Sequence, residues 1–189
     1  MISFNNVNFA YGKKEIFKDF SLTINDGDRI CFFAPSGFGK TTILRLIMGL
    51  ESANGGEIEG LENKKISAVF QEDRLLPNKT VKQNIELFAD NCDIGNAMLK
   101  LGIADAKELY PDELSGGMAR RVAIARALCR TADIYIFDEP FNGIDQKNIE
   151  KTAQFINEVT ADKTVLLVTH DRDQAELLGA AIIDISANV

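Results

Sequence analysis

A glycine-rich segment that joins a predicted strand to a predicted helix constrains the fold of this chain more than any other feature. The segment reads Ala-Pro-Ser-Gly-Phe-Gly-Lys-Thr over residues 34–41 and follows an apolar run. Gly37 and Gly39 allow successive backbone N–H groups to turn inward, while the helix N-terminus and Lys40 add positive charge. This combination predicts a phosphate-binding loop in which the Thr41 hydroxyl can bind Mg²⁺. The alternative is a glycine-rich turn without a ligand.

One residue of this loop departs from the strict pattern. Ala34 stands where the pattern begins with glycine. Its methyl group is tolerated where the local φ is negative. Thr42 lies one residue deeper in the predicted helix than Thr41.

Short apolar runs alternate with segments of helical periodicity along the chain. The alternation predicts the α/β class with a mostly parallel sheet, because several runs are apolar on both faces. The turn residues of Asn25–Asp28 predict an antiparallel subsheet beside it. The predicted strands are Ser3–Phe9, Phe20–Ile24, Arg29–Ala34, Ile66–Phe70, Asp133–Phe137, Thr164–Val168 and Ala181–Ile185. The predicted helices are Lys40–Gly49, Gly116–Cys129, Lys147–Ala161 and Asp171–Gly179.

The strand pattern stops between Gln71 and Ser115. Three short helices are predicted in this block, at Val81–Phe88, Ala97–Leu101 and Ala104–Leu109. We interpret the block as a helical insertion in the α/β core.

Charge and apolar content limit the function classes. The 189 residues carry 21 Lys+Arg and 28 Asp+Glu, a formal net charge of −7, which argues against nucleic acid as the main partner. No apolar run approaches the roughly 18 residues that span a bilayer, and no signal peptide is visible, so we expect a cytoplasmic protein. A cluster of arginines is interpreted as a solvated, salt-bridged helix surface. Its members are Arg120, Arg121, Arg126 and Arg130.

The three cysteines, Cys31, Cys92 and Cys129, are odd in number and far apart in sequence. Without any CxxC spacing, they predict neither a disulfide framework nor a zinc site. We expect Cys31 and Cys129 to be small core residues.

Two adjacent carboxylates, Asp138 and Glu139, follow the apolar run Ile134–Phe137. Ligands of doubly wound sheets bind at the carboxyl ends of the strands, so we expect both side chains to face the phosphate loop. Asp138 would then hold Mg²⁺, and Glu139 would orient or deprotonate an attacking water. The alternative is a strand followed by an ordinary polar turn.

A second glycine-rich helix start lies at Leu-Ser-Gly-Gly-Met, residues 114–118. Ser115 can cap the following helix, and Gly116 and Gly117 allow close approach of another molecule to the backbone, which makes a second anion site. One nucleotide needs only one such phosphate-binding site. A second site is therefore consistent with a nucleotide held by a symmetry-related subunit. The alternative is an ordinary serine-capped helix.

In chain order, these motifs resemble those of the nucleotide-binding subunits of ABC transporters. The order is the phosphate loop, Gln71 after a strand, Leu-Ser-Gly-Gly at 114–117, Asp138-Glu139, and Val-Thr-His-Asp at 168–171. The phrase Val-Phe-Gln-Glu-Asp-Arg-Leu-Leu-Pro at 69–77, and Met118 after Leu-Ser-Gly-Gly, are most similar to the importer branch that serves nitrate, sulfonate and taurine.

The resemblance covers nearly the whole chain and implies the P-loop NTPase fold of ABC ATPases. It implies a single ABC domain over residues 1–189, with a helical subdomain at about 72–130 inserted in the catalytic core. Only 19 residues follow His170. We therefore expect no C-terminal regulatory domain and an open sheet edge near Ala181–Ile185.

The resemblance also implies roles for individual residues. Glu139 is the catalytic base, Gln71 contacts Mg²⁺ and the attacking water, and His170 bonds to the γ-phosphate. Asp145 links the two sites of a dimer. The implied metal-binding residues are Thr41, Gln71 and Asp138. The implied nucleotide-binding residues are Tyr11 at the adenine, then Ser36, Gly37, Phe38, Gly39, Lys40, Thr41 and Thr42, and Ser115, Gly116 and Gly117 on the ATP of the opposite subunit.

Three of these residues have ordinary structural alternatives. Tyr11 could be a strand-end tyrosine packed on the sheet. His170 is the only histidine of the chain, and a lone histidine is more often structural than catalytic. Gln71 could be a plain loop glutamine.

The function implied by the resemblance is ATP binding and hydrolysis coupled to transport. Two copies meet head to tail across two ATP molecules and drive separate membrane permease subunits, with docking at Glu72–Phe88 and an extracytoplasmic substrate-binding protein in the same system. The chain would then lie on the inner face of the membrane. The rivals are a soluble ABC-type ATPase with a non-transport partner and a catalytically inactive scaffold. Asn-Lys-Thr-Val at 78–81 lacks the final aspartate of the guanine-reading pattern, which argues against a GTPase.

Overall fold

The computed structural model describes residues 1–35, 37–90 and 92–186. Strands and helices follow one another along this part of the chain. The strands are β1 (Ile2–Tyr11), β2 (Lys14–Ile24), β3 (Arg29–Phe33), β4 (Gly55–Glu59), β5 (Ile66–Val69), β6 (Ile134–Asp138), β7 (Thr164–Val168) and β8 (Ala181–Asp184). The helices are α1 (Lys40–Ile47), α2 (Val81–Glu86), α3 (Ile94–Lys100), α4 (Gly116–Leu128), α5 (Gln146–Val159) and α6 (Arg172–Leu177).

A five-stranded sheet in the order β5-β6-β7-β3-β8 forms the centre of the fold. Its neighbouring strands are all parallel. Every residue of β6 and β7 is buried, as expected for apolar strands covered on both faces. The predicted α/β class with a parallel sheet is confirmed, and β8 lies at the edge of that sheet, beside β3.

A separate antiparallel sheet has the order β2-β1-β4. The subsheet was predicted, but its turn was placed wrongly. The β1–β2 hairpin turns at Gly12, where φ is 59°, and pairs Tyr11 with Lys14. The turn at Asn25–Asp28 instead carries the chain from β2 to β3 in the other sheet. Strand β4 was not predicted, because its sequence, Gly-Gly-Glu-Ile-Glu, has poor strand propensity. It forms a strand because it pairs with β1.

Helices α2, α3 and α4 lie between β5 and β6. The predicted helix Ala104–Leu109 is wrong, since only a 3₁₀ turn at Ala104–Ala106 forms there. The carbonyls of Lys107 and Leu109 accept hydrogen bonds from the first amides of α2, at 3.0 and 2.9 Å, which ends local helical bonding. Helices α1, α4, α5 and α6 end within two residues of their predicted bounds.

Two apolar layers cover the parallel sheet. Ile134 and Ile136 of β6 pack in one cluster with α1 and the antiparallel sheet. Tyr135 and Phe137 pack in the other cluster with α2 to α5. This alternation follows the two-residue period of a strand. Because both faces are covered, polar chemistry is confined to the ends of the strands.

The prediction that the cysteines form no disulfide is wrong. Cys92 and Cys129 are paired as a disulfide across 37 residues, because the chain between α2 and α3 packs against the end of α4. The amide of Asp90 donates to the Cys129 carbonyl at 3.0 Å in the same place. Cys31 is buried and free, as predicted, and burial raises the pKa of its thiol to about 11.

Within residues 1–35, 37–90 and 92–186, no helix is both long enough and apolar enough to span a membrane.

Candidate active site

Loops from four parallel strands meet at one edge of the central sheet. Because parallel strands end on the same side, the segments after β3, β5, β6 and β7 leave together there. With the start of β2 they surround an open cleft of about 360 Å³. The residues that line it are Tyr11, Lys14, Ile16, Gly37, Gly39, Lys40, Thr41, Thr42, Gln71, Asp138, Glu139 and Val168. Nine of the predicted site residues thus share one cleft.

The phosphate loop takes its shape from two glycines in the left-handed region. Gly37 has φ of 88°, and Gly39, which caps α1, has φ of 87°. A Cβ at Gly39 would lie 2.7 Å from Ile16 and 2.8 Å from Phe17, so β2 packs directly on the loop and excludes any side chain. Ala34 is buried and its φ is not left-handed, so its methyl group is accommodated.

The other loop residues divide into those that face the cleft and those that do not. The Lys40 ammonium donates to the carbonyls of Ala34 and Pro35, at 2.6 and 3.1 Å. Thr42 lines the cleft but is largely buried. The Phe38 side chain packs against the core instead of lining the cleft. Ser36, predicted to bind nucleotide, lies outside the described residues.

A hydroxyl and a carboxylate form a pair suited to a hard cation. The Thr41 hydroxyl donates to Asp138 Oδ2 at 3.2 Å across the cleft. Asp138 is only 6% exposed, and burial raises the pKa of its carboxyl. The nearby Glu139 charge raises this pKa further, while the Thr41 hydrogen bond and the charges of Arg120 and Lys40 oppose the shift.

Glu139 adopts a strained backbone conformation. Its φ of 50° is left-handed, which costs about 1–2 kcal/mol for a residue with a side chain. Its amide donates to the Val168 carbonyl at 2.8 Å, and His170 Nδ1 lies 3.1 Å from both carboxylate oxygens. His170 is mostly exposed, whereas the Glu139 side chain is mostly buried. Such strain is maintained by surrounding contacts and clusters at functional sites.

The second glycine-rich helix start lies outside this cleft. The Ser115 hydroxyl caps α4 by accepting from the Met118 amide at 3.3 Å. A Cβ at Gly116 would meet nothing within 4 Å, so this backbone is open to another molecule. At Gly117 a Cβ would lie 2.5 Å from the Gly143 carbonyl oxygen. One side of the motif is therefore open, and the other packs against the Asn142–Asp145 loop.

Asp145 caps α5 and lies close to this second helix start. Its carboxylate accepts from the amide and the side chain of Asn148, at 3.1 and 2.7 Å. The side-chain hydrogen bond from Asn148 is the main reason that the pKa of Asp145 is lowered, and the Arg121 charge adds to it.

Tyr11 stands at the rim of the cleft with 43% of its surface exposed. Its ring packs edge to face on Phe9, and its hydroxyl donates to Glu51 at 3.4 Å. The ring retains an exposed part that a planar base could cover.

Comparison with known proteins identifies the family. The family model described as ABC transporter matches residues 17–142, two thirds of the chain. The chain belongs to the ABC transporter family. This confirms the resemblance, the ABC ATPase fold and an ATPase domain coupled to transport.

Similar proteins and solved structures agree with this family assignment. The aliphatic sulfonates import ATP-binding protein SsuB 3 of Rhodococcus jostii is 36% identical, over 96% of this chain and 70% of its own length. The ergothioneine transport ATP-binding protein EgtV of Helicobacter pylori is 31% identical, over 99% of this chain and 98% of its own length. The dimeric bacterial ABC transporter cassette MJ0796 has a TM-score of 0.80 and 28% identity, over 98% of this chain and 95% of that one. It is also known in a post-hydrolysis state bound to ADP and Pi.

The interpretation of the arginine cluster as a solvated surface is wrong for Arg120 and Arg121. Both are buried in this ABC domain, at 2% and 7% exposure, and donate mainly to backbone carbonyls. Arg121 binds the carbonyls of Leu101 and Gly102, at 2.7 and 3.0 Å, and that of Gly117 at 3.1 Å. Helical spacing did not reveal this burial, because the acceptors lie on other segments.

Sequence reasoning missed Lys14 as a site residue. Its side chain lines the cleft of the ABC domain, and its ammonium lies 3.7 Å from the position of a Cβ on Gly37. Lys14 thus adds a second cation beside the phosphate loop. The available signal was a lysine three residues after Tyr11, directly across the hairpin.

Proposed function

We propose that this chain is the ATP-hydrolysing subunit of an ABC import system and that two copies close around two ATP molecules. The observation that carries the proposal is the meeting of three groups in one cleft. These are the phosphate loop with Lys40, the Thr41–Asp138 pair, and Glu139 held by His170. Phosphoryl transfer to water requires such a cationic cradle, a metal-binding pair and a group that orients the water.

The donor set of the cleft fits Mg²⁺. Thr41, Asp138 and Gln71 offer a hydroxyl, a carboxylate and an amide oxygen, the hard ligands that this ion prefers. Among the described residues there is no group of three His, Cys, Asp or Glu side chains that could hold a metal. One carboxylate with neutral oxygens suits an ion that also binds the phosphates of ATP. When bound, Mg²⁺ would neutralise phosphate charge.

The chain's own residues then have separate tasks. Lys40 would exchange the carbonyls of Ala34 and Pro35 for phosphate oxygens, since its ammonium is already in the loop. Glu139 would orient the attacking water and accept its proton, and His170 would hold the Glu139 carboxylate and reach the γ-phosphate. Tyr11 would stack on the adenine.

The open helix start at Ser115–Gly117 supports the dimer. It does not line the cleft that holds the phosphate loop, so we assign it to a nucleotide held by a second copy. A second copy that presents its ATP to the open backbone at Gly116 would use the capped N-terminus of α4 as an anion site. Removal of the γ-phosphate by hydrolysis would weaken this contact and reopen the dimer.

The names of the relatives support transport across a membrane. They concern import of aliphatic sulfonates and transport of ergothioneine, so we propose an importer of a small substrate such as a sulfonate, nitrate or taurine. We propose that the chain is peripheral on the cytoplasmic face and works with permease subunits and an extracytoplasmic substrate-binding protein. Glu72–Phe88 would dock the permease; it exposes Leu87, and Phe88 lines a groove of about 390 Å³.

The catalytic assignment is tested with Glu139→Gln. The amide cannot accept the water proton, so ATP should still bind while turnover falls by at least about 100-fold. The variant should accumulate as an ATP-dependent dimer in size-exclusion chromatography with light scattering. Glu57→Gln, at an exposed position of β4, is the matched control. Turnover by Glu139→Gln equal to that of this control would refute the role of Glu139.

The transport assignment is tested by purification of the tagged protein from detergent-solubilised native membranes. Mass spectrometry should identify a multi-span permease, whose gene neighbours and bound substrate then name the cargo. Leu87→Glu should lose the permease, whereas Leu99→Glu, at an even more exposed leucine on α3, should retain it. Reproducible recovery of soluble partners alone would favour the soluble ATPase instead.

A further inference from the structure

The guanidinium of Arg120 connects three segments of the active site. Arg120 lies on α4, five residues after Ser115, and is 2% exposed. Nη2 donates to the carbonyls of Asp138 and Glu139, at 2.7 and 2.6 Å. Nη1 donates to the Phe70 carbonyl and to Asp73 Oδ1, the latter at 3.0 Å. Helix α4, the end of β5 and the end of β6 are thus held by one side chain.

Only arginine can make this set of contacts. Its planar guanidinium has five N–H donors in a fixed arrangement, and the two terminal nitrogens supply four of them here. The fifth, on Nε, is buried without a hydrogen-bond partner among the described residues. Lysine retains the charge with three donors and no plane, and glutamine offers two donors without charge.

The groups that Arg120 holds belong to residues with proposed catalytic roles. The Glu139 carbonyl is fixed by Arg120 while its amide is fixed by Val168, so both sides of its left-handed backbone are restrained. The Phe70 carbonyl belongs to the planar peptide unit whose nitrogen is that of Gln71. The orientation of Gln71 therefore depends on the same guanidinium.

We propose that Arg120 is a positioning residue for hydrolysis, which sets Glu139 and Gln71 relative to each other and to α4. This inference rests on the proposed function, because it assigns to Arg120 a part of the same ATP hydrolysis. Among the described residues Arg120 makes no hydrogen bond to the phosphate loop or to Tyr11, so its loss should affect the chemical step far more than ATP binding.

The test compares Arg120→Lys and Arg120→Gln with wild type in steady-state ATPase assays. We expect kcat to fall about 10- to 100-fold, the range expected when a catalytic group is misplaced by about 1 Å. The KM for ATP and the Kd for a fluorescent ATP analogue should change less than threefold. The binding stoichiometry of the analogue corrects kcat for any unfolded fraction. Arg120→Lys should remain as slow as Arg120→Gln, since charge alone does not restore the planar set of donors.

Arg29→Lys is the matched control, because Arg29 is a partly buried guanidinium that also donates to carbonyls, those of Leu178 and Thr160, but at the end of β3 opposite the phosphate loop. It should lower the melting temperature and leave kcat unchanged. If both Arg120 variants fail to fold, Asp73→Asn serves instead. Asp73 is partly exposed, and loss of its charge should reduce kcat several-fold at constant KM.

Three outcomes would overturn the inference. The first is a kcat within twofold of wild type in a folded Arg120 variant, or in Asp73→Asn where that variant takes its place. The second is a rise in the KM of the Arg120 variants as large as the fall in their kcat. The third is a fall of kcat in Arg29→Lys equal to that in the Arg120 variants. The proposed function is judged separately, by ATP hydrolysis in wild type and its loss in Glu139→Gln. Active wild type with an unaffected Arg120 variant would refute only the role of Arg120.

Discussion

A methyl group added at Gly117 should destabilise the protein, whereas the same methyl at Gly116 should not. Both glycines lie in the first turn of α4. The Cβ of an alanine at 117 would lie 2.5 Å from the Gly143 carbonyl oxygen and 3.4 Å from Ile144 Cα. The first distance is about 1 Å shorter than an ordinary contact between packed heavy atoms. The Cβ at 116 would meet nothing within 4 Å.

The expected size of the difference follows from two opposing effects. Overpacking against backbone lowers the free energy of unfolding by about 1–3 kcal/mol, and the Gly→Ala exchange in a helix raises it by about 0.5–1 kcal/mol. Gly117→Ala should therefore lose up to about 2.5 kcal/mol, which lowers the melting temperature by up to about 10 °C for a chain of this length. Gly116→Ala should gain up to about 1 kcal/mol, which raises it by up to about 4 °C.

The assay combines thermal melts of both variants without nucleotide with steady-state ATPase rates. Although Gly116→Ala should be the more stable variant, it should hydrolyse ATP more slowly, because its methyl group occupies the open backbone proposed to receive the partner's ATP. A Gly117→Ala variant that melts at or above Gly116→Ala would refute the packing argument. An unchanged ATPase rate in Gly116→Ala would refute the role of the open helix start in the dimer.

Three further outcomes are expected. Lys14→Met should raise the Kd for a fluorescent ATP analogue about threefold to tenfold, because a cation beside the phosphate loop is lost; an unchanged Kd would show that Lys14 does not contact the phosphates. Asp138→Asn should raise the melting temperature at neutral pH. The pKa of the buried Asp138 carboxyl lies above its ordinary 3.8 in the folded protein, so its ionisation makes the folded state less stable as the pH rises above 3.8. This gain should shrink as melts approach pH 4, and a gain independent of pH would contradict the charge argument. Cys31, with a pKa of about 11, should resist iodoacetamide at pH 8 in the native protein and react after unfolding.

Features carried by contiguous residues were predictable from the sequence. The phosphate loop and the Asp138–Glu139 pair each combine an apolar strand with the polar residues that directly follow it, so local pattern and strand direction suffice to place them at one sheet edge. The start of α4 followed from the capping residue Ser115 that precedes it.

Features made by distant segments were not predictable in this way. Arg120 looks like a surface residue because its acceptors at Phe70 and Asp138 lie 50 and 18 residues away. The Cys92–Cys129 pair has the same origin, and β4 is a strand only because β1 offers it a partner. Long-range contacts override local propensity in each case.

The order of strands in the central sheet has a consequence for synthesis of the protein. β3, whose end carries the phosphate loop, takes both its neighbours, β7 and β8, from the far end of the described chain. About 130 residues separate β3 from β7, so a ribosome needs on the order of ten seconds to supply the first neighbour. Until then, β3 has no strand beside it and packs only through its faces, with Ile30 and Phe32 toward α1 and the antiparallel sheet and Cys31 toward the helices of the other layer. A nascent chain should therefore gain nucleotide binding late and abruptly, when β7 leaves the exit tunnel.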